Sequence, residues 1–529
     1  MAQQGNVGPH SGTGDRRIDS LIEEPSFRWN FDPFNPSIWG QASQVTFSFM
    51  LKPPNYSTIE DQYGFQPFSE IQRIATRTIF ESLERVLAID FIELDEAGEN
   101  WGAIRLGNNE QSGKGTAGYA YLPNDPIAGD SSGDIYLALE FNRGYQAGDP
   151  DLETLIHEIG HALGLRHPIS EGLISGHAQS SQRAVLDLDE NTTRHTVMSY
   201  KQHPQQLARI DWALYDLLAL RHLYGIRAYN PEDDIIPLDD MRGRYQSLII
   251  DDAGIDVLDL SRMSLGVTIN LNSGSFSSIG RTTKGTAAID NIAIAFGTVI
   301  EQLKGTNFTD LITGNDADNR IEPLSGYDSI DGGSGIDTVV YDGPLEGFSV
   351  SSSQMRGDDF GKITVSGQGL ANRLTKQSLR NVERIEFSDT SLAFDLNGNA
   401  GLALKTLALI YGTDGFSPQM CGLAIRYIDE QARQHENLAR VVASDLIQFD
   451  AFWGTGSKKD DQYLVALLAS RLGLSSPDSP ISNDELINLT DYVKLVGGQE
   501  NFLTELLELP FLDQLIGMSN FFESGLRWG

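Results

Sequence analysis

A single cysteine, Cys421, stands in 529 residues, so no internal disulfide can form. No apolar run is long enough to span a bilayer. Positive charge is scarce: 39 Lys and Arg face 73 Asp and Glu, a formal net charge of -34. That surplus disfavours nucleic acid and anionic membranes as partners and suits a chain that holds cations. The opening residues are polar and glycine-rich, without the apolar core of a secretory signal. Residues 1–20 are expected to be a disordered leader or pro-segment.

What is present centres on His157-Glu158-Ile159-Gly160-His161-Ala162-Leu163-Gly164-Leu165-Arg166-His167, followed by Pro168. This reads HExxHxxGxxH. On a helix His157 and His161 are four residues apart and project from one face. Glu158 sits beside them, placed to take a proton from a metal-activated water. Gly164 can adopt the left-handed conformation that ends a helix, so that the chain turns and returns His167 as a third ligand. Three protein ligands leave a coordination position open, the mark of a catalytic zinc site rather than a structural one. A lone histidine is more often a packing or surface residue. On that ground His177, His195, His203 and His222, which lack the required spacing, are read as loop residues.

Downstream, Thr196-Val197-Met198-Ser199-Tyr200 resembles the methionine-bearing turn that passes beneath the ligands in the metzincin superfamily. Pro168 after the third His and Tyr200 two residues after Met198 narrow the resemblance to the serralysin family of secreted bacterial zinc endopeptidases. That resemblance implies that Tyr200 is a further zinc ligand, able to swing away and hydrogen-bond the tetrahedral intermediate, and that Met198 is structural. Gly115–Pro123 resembles the family's edge strand above the zinc. Ala117, Gly118, Tyr119 and Ala120 would there pair with an extended peptide substrate. Val45–Phe49, Ile89–Leu94, Gly102–Leu106 and Gly133–Leu137 read as strands. Phe68–Leu87 reads as a helix with a stripe of Ile71, Ile74, Ile79, Leu83 and Val86, and Leu214–Gly225 matches the helix that closes the catalytic domain.

From Gly305 four nine-residue blocks run to Val340, and the last, Gly332–Val340, fits the GGxGxDxUx repeat of the RTX parallel β-roll. The inward series would be Ile312, Ile321, Ile330 and Val339. Calcium between turns would be held by Asp310, Asp328 and Asp337 at the sixth position, with turn carbonyls near Gly333 and Gly335. Asn319 replaces the acid in the second block, and the glycine positions are eroded at Thr306, Phe308, Pro323 and Leu324. Asp251 and Asp256 fall where the resemblance places acidic residues near calcium. Strand-like alternation continues to Leu396, and beyond Gly398 the period becomes helical.

The expected architecture is multidomain, α/β then all-β then all-α. A metzincin zinc-protease domain (21–228) combines a mixed twisted sheet with a long active-site helix. An RTX-like parallel β-roll (229–345), a β-strand cap in a sandwich with the roll (346–397) and a C-terminal helical module (398–529) follow. The resemblance implies one catalytic zinc, one or more structural calcium ions, and export to the medium by a type I route from a Gram-negative bacterium. It also implies protein or peptide substrates, with a proteinaceous inhibitor as a further partner, and a monomer. Two other classes compete. One is a matrixin- or astacin-like enzyme, opposed by Pro168 and the calcium-type repeats. The other is a calcium-dependent surface or adhesion protein with vestigial protease activity.

Overall fold

The computed structural model describes residues 13–22, 27–35, 37–96, 100–112, 115–141, 143–168, 184–353, 362–368, 374–413, 416–453, 460–475, 482–515 and 526–528. His177, most of the leader and most of the loop after Pro168 lie outside them. The chain forms two compact units that meet in sequence at Glu301 and Gln302.

In the first unit alternating residues make β1 (Ser43–Phe49), whose Val45, Phe47 and Phe49 point into the core. β2 (Ile89–Glu93), β3 (Ile104–Asn109), β4 (Gly118–Ala120) and β5 (Asp134–Ala138) complete a sheet of order β2-β1-β3-β5-β4. Its pairings are parallel except for the last, so β4 is an antiparallel edge. α1 (Arg16–Asp19) and α2 (Ile59–Gln62) are single turns, and α3 (Glu70–Val86), α4 (Pro150–Ala162) and α5 (Leu214–Tyr224) are the long helices. All three contribute to one core with the sheet. α4 follows β5, the strand next to the β4 edge, and packs against β4 and β5, which sets its residues beneath the sheet edge.

The buried face of α3 differs from the expected stripe. Ile79, Leu83 and Val86 are buried, but Ile71 and Ile74 are half exposed. Gln72 turns inward instead, because its amide donates to Asn108 Oδ1 (2.7 Å) and to Tyr145 OH (3.0 Å). A satisfied buried amide displaces two aliphatic side chains from the core face. The unit continues through β6 (Ile235–Pro237), β7 (Ser247–Ile249), β8 (Val257–Asp259), β9 (Thr268–Asn270), β10 (Phe276–Ser277) and β11 (Ile292–Ile294).

In the second unit β12 (Gln302–Lys304), β13 (Leu311–Thr313), β14 (Arg320–Glu322), β15 (Ser329–Asp331) and β16 (Thr338–Val340) recur at a constant interval. They alternate between two layers: β12, β14 and β16 pair in parallel in one, β13 and β15 in the other. Ile312, Ile321, Ile330 and Val339 point between the layers and are buried. β17 (Phe348–Ser352), β18 (Ile363–Gln368) and β19 (Leu374–Arg380) extend the second layer; β20 (Arg384–Glu386) and β21 (Ser391–Ala393) extend the first. Helices α6 (Asn399–Tyr411), α7 (Pro418–Ala432), α8 (Leu438–Gln448), α9 (Asp450–Trp453), α10 (Asp461–Arg471), α11 (Asn483–Leu495) and α12 (Gln499–Glu508) follow. Cys421 is a buried thiol of their shared core. A final strand, β22 (Leu526–Trp528), returns to β21, tying the helices to the sheet. No helix among the described residues is long and apolar enough to cross a membrane.

Candidate metal centre and active site

α4 ends where its glycine dictates. The Leu165 N–H donates to Gly160 O (2.9 Å) and the Gly164 N–H to His161 O (2.9 Å), the paired bonds of a Schellman cap. Gly164 has φ +99°, and a Cβ there would lie 2.2 Å from Phe27 O, so only glycine fits. The turn swings His167 back over the helix. Its Nε2 comes within 3.2 Å of His157 Nε2 and 3.0 Å of His161 Nε2. Among the described residues this is the one cluster of three His, Cys, Asp or Glu with metal-ligand spacing.

The ring protons are placed by the backbone. His157 Nδ1 faces Val197 O (2.8 Å) and His161 Nδ1 faces Leu165 O (2.8 Å), so both rings donate outward and turn an unprotonated Nε2 toward the common point. Burial lowers all three pKa values, with His167 down to about 3, which keeps the rings neutral. Three neutral imidazoles fit zinc: tetrahedral bonds of ~2.0–2.1 Å would separate the nitrogens by about 3.3 Å. Tyr200 OH lies 3.3 Å from His167 Nδ1, and its side chain is largely exposed.

Glu158 is buried in the same helix, and burial pushes its carboxyl up to about 8. Its Oε2 has no hydrogen-bond partner among the described residues. The edge strand β4 passes close by: the Cβ direction of Gly118 meets Glu158 Cγ at 2.9 Å. Tyr119, on the same strand, donates to Asp61 Oδ1 (2.6 Å) and stacks on Tyr136. Ala117 O accepts from the Ala138 N–H (3.0 Å), and Ala120 pairs with Ile135, which orders this edge. Met198 is fully buried, its Sδ against Gly160 of α4.

One residue outside the motifs proves central to the turn. Asp216 of α5 accepts from the Thr196 hydroxyl (2.5 Å), the Val197 N–H (2.8 Å) and the Ala213 N–H (3.0 Å). Burial holds its carboxyl up at about 6. The signal for it was a lone acid within the apolar run Leu214–Leu220, a placement that demands partners. The other histidines stand apart: His195 lies tilted against Tyr215, His203 Nε2 meets Ile289 O (2.9 Å), and His222 is not a loop residue but sits on α5, where it packs on Trp39.

A second group lies farther along the first unit. Asp251 Oδ2 and Asp256 Oδ2 are buried without hydrogen-bond partners among the described residues. The Asp234 N–H donates to Asp256 Oδ1 and the Asp256 N–H to Glu301 Oε2, both at 2.9 Å. Burial and the neighbouring Asp256 raise Asp251 to about 6. Paired, underbonded carboxylates are suited to a hard divalent cation. In the second unit Asp310, Asp328 and Asp337 are also buried, and Gly333 and Gly335 both have positive φ in the turn before Asp337.

Residues 223–435 match the family model described as Peptidase M10 serralysin C terminal. The chain is 30% identical over 320 residues to a serralysin of Photorhabdus laumondii, covering 56% of this chain and 63% of that protein. It is 29% identical over 317 residues to a serralysin of Proteus mirabilis, covering 53% and 61%. The chain thus spans less than two thirds of the length of either. With a metallopeptidase AprA of Pseudomonas marginalis it shares 30% identity over 343 residues, 60% of this chain and 68% of that protein. With two thirds of one metallopeptidase matched and a serralysin-type segment from 223 to 435, the chain belongs to the serralysin family.

Proposed function

We propose that this protein is a secreted zinc-dependent endopeptidase of metzincin type, cleaving internal peptide bonds of proteins on a calcium-stabilised scaffold. The observation that carries this reading is the convergence of three neutral Nε2 atoms beside a buried, underbonded Glu158 carboxylate. Zinc held by His157, His161 and His167 would polarise the scissile carbonyl, acidify a water molecule and draw Glu158 back to its ionised form.

The chain's own residues do the rest. An extended substrate adds to the β4 edge through main-chain hydrogen bonds along Ala117–Ala120, which brings its carbonyl to the histidines. Glu158 takes the proton from the attacking water and returns it to the leaving amine nitrogen, so water is consumed and one peptide bond is broken. Tyr200, within reach of His167, donates its phenol to the developing oxyanion. Calcium is assigned to Asp251 and Asp256 and to the nine-residue turns of the second unit, where it would couple folding to the outside of the cell.

The test is digestion of casein by the purified chain with and without a zinc-selective chelator. Cleavage that stops on chelation and returns with zinc is expected. A metal-loaded chain that never cleaves would point instead to a calcium-dependent binding protein.

A further inference from the structure

The turns between residues 305 and 340 share a path but not a bonding scheme. Their sixth residues, Asp310, Asn319, Asp328 and Asp337, are each at most 2% exposed. A ladder links them: the Asp310 N–H donates to Asp328 Oδ1 (2.9 Å) and the Asn319 N–H to Asp337 Oδ1 (2.7 Å). The Asp337 N–H donates in turn to Glu383 Oε2 (2.8 Å). Glu383, outside the nine-residue series, thus fills the place of one more sixth residue. The ladder occupies one oxygen of Asp328 and one of Asp337, and a buried carboxylate needs a donor or a cation for the other.

That need is met differently in each turn. In the first, Thr306 stands at the second position; its hydroxyl donates to Asp310 Oδ1 (2.7 Å) and its N–H to Oδ2 (2.8 Å). In the second, Asn315 holds the same position. It accepts from Asn319 Nδ2 (3.0 Å), and its own N–H donates to Asn319 Oδ1 (2.8 Å). In the third the second position is Leu324, which has no polar atom, and Gln377 on β19 donates its amide to Asp328 Oδ2 (2.8 Å). In the fourth the second position is Gly333, and Asp337 Oδ2 is buried without a hydrogen-bond partner among the described residues. In the first and third turns a carboxylate oxygen acquires a protein donor, and in the second the acid itself is replaced by an amide bonded to Asn315.

We propose that Thr306, Asn315 and Gln377 saturate the sixth residues of the first three turns and so take the place of inter-turn cations there, and that the winding keeps a single divalent-cation position, at Asp337 beside Glu383. The lost second glycines are therefore substitutions of one bonding scheme for another. The remaining position suits a hard cation taking carboxylate and main-chain oxygens. This narrows the calcium part of the proposed function and is independent of its zinc part.

Calcium bound per chain is counted by equilibrium dialysis on the full chain carrying Glu158→Gln, so that self-digestion does not enter. Asp337→Asn is expected to lower the count by one, and Asp310→Asn and Asp328→Asn to leave it unchanged. A lower count for either of the last two, or an unchanged count for the first, would overturn the proposal. Should an Asn variant not fold, Thr306→Val is melted beside its parent in EGTA. A lower Tm is expected there; an equal Tm would contradict the role given to the Thr306 hydroxyl.

Discussion

Between His157 and Asp216 runs a short chain of hydrogen bonds. His157 Nδ1 meets Val197 O, and the Val197 N–H donates to Asp216 Oδ2 (2.8 Å). The acid thus fixes the peptide unit that orients a ligand ring. Asp216→Asn keeps the shape but sets an amide nitrogen among N–H donors. The loss of a buried acceptor costs about 1–3 kcal/mol, and a disturbed ligand orientation lowers zinc affinity about 10–100-fold. Thermal melting and a chelator-competition titration check both; a variant equal to its parent in zinc affinity would remove Asp216 from the support of the centre. The centre itself was readable because His157, Glu158, His161 and His167 lie within one turn-and-a-half of helix and its cap. Asp216 was not readable, since its partners Thr196 and Val197 meet it only through the fold.

The cap of α4 and the strand β5 each carry a constraint that a single substitution exposes. Gly164→Ala would force a side chain to φ +99° and against Phe27 O at 2.2 Å. The left-handed conformation alone costs roughly 1–2 kcal/mol, and the contact adds to it. His167 shifts with the turn, so zinc retention in dialysis is expected to fall together with Tm. On β5, Asp134 is buried, its Oδ2 has no hydrogen-bond partner among the described residues, and burial holds its carboxyl up to about 8. An unfolded Asp titrates near ~3.9. Between those values the folded chain binds the proton more tightly, so stability falls as pH rises from ~4 to ~8, by up to ~1.4 kcal/mol per pH unit. Asp134→Asn removes that dependence. Its Tm is expected to fall less than the parent's between pH 5 and 8; parallel curves would show that Asp134 ionises freely. Strand positions followed from alternation, as in β1, whereas the inward face of α3 did not. Hydropathy favours Ile71 and Ile74, and only the Asn108 and Tyr145 partners of Gln72 reverse that choice.

For the molecule as a whole, the histidine cluster and the nine-residue recurrence of strands are properties of short sequence spans, and both could be located from spacing. The inward Ile312, Ile321, Ile330 and Val339 needed no more than a constant interval. What closes the winding did not share that interval: Gln377 and Glu383 reach Asp328 and Asp337 from 49 and 46 residues away. The return of β22 to β21 is longer still, so the helices between them gave no sequence sign of being tied to the sheet. On the proposed function, metal dependence would have two separable sources. Zinc removal is expected to abolish cleavage while leaving the second unit folded, and calcium removal to act mainly through Asp251, Asp256 and Asp337. Circular dichroism after zinc-selective and calcium-selective chelation distinguishes them; loss of β-signal on zinc removal alone would contradict this division. The most direct measurement is the turnover of a quenched peptide by Glu158→Gln, taken with its zinc content. One zinc per chain and a rate about 10²–10⁴-fold below the parent are expected of a lost general base. A zinc-loaded variant that cleaves at the parent's rate would contradict the role given to Glu158, and with it the proposed chemistry of the site.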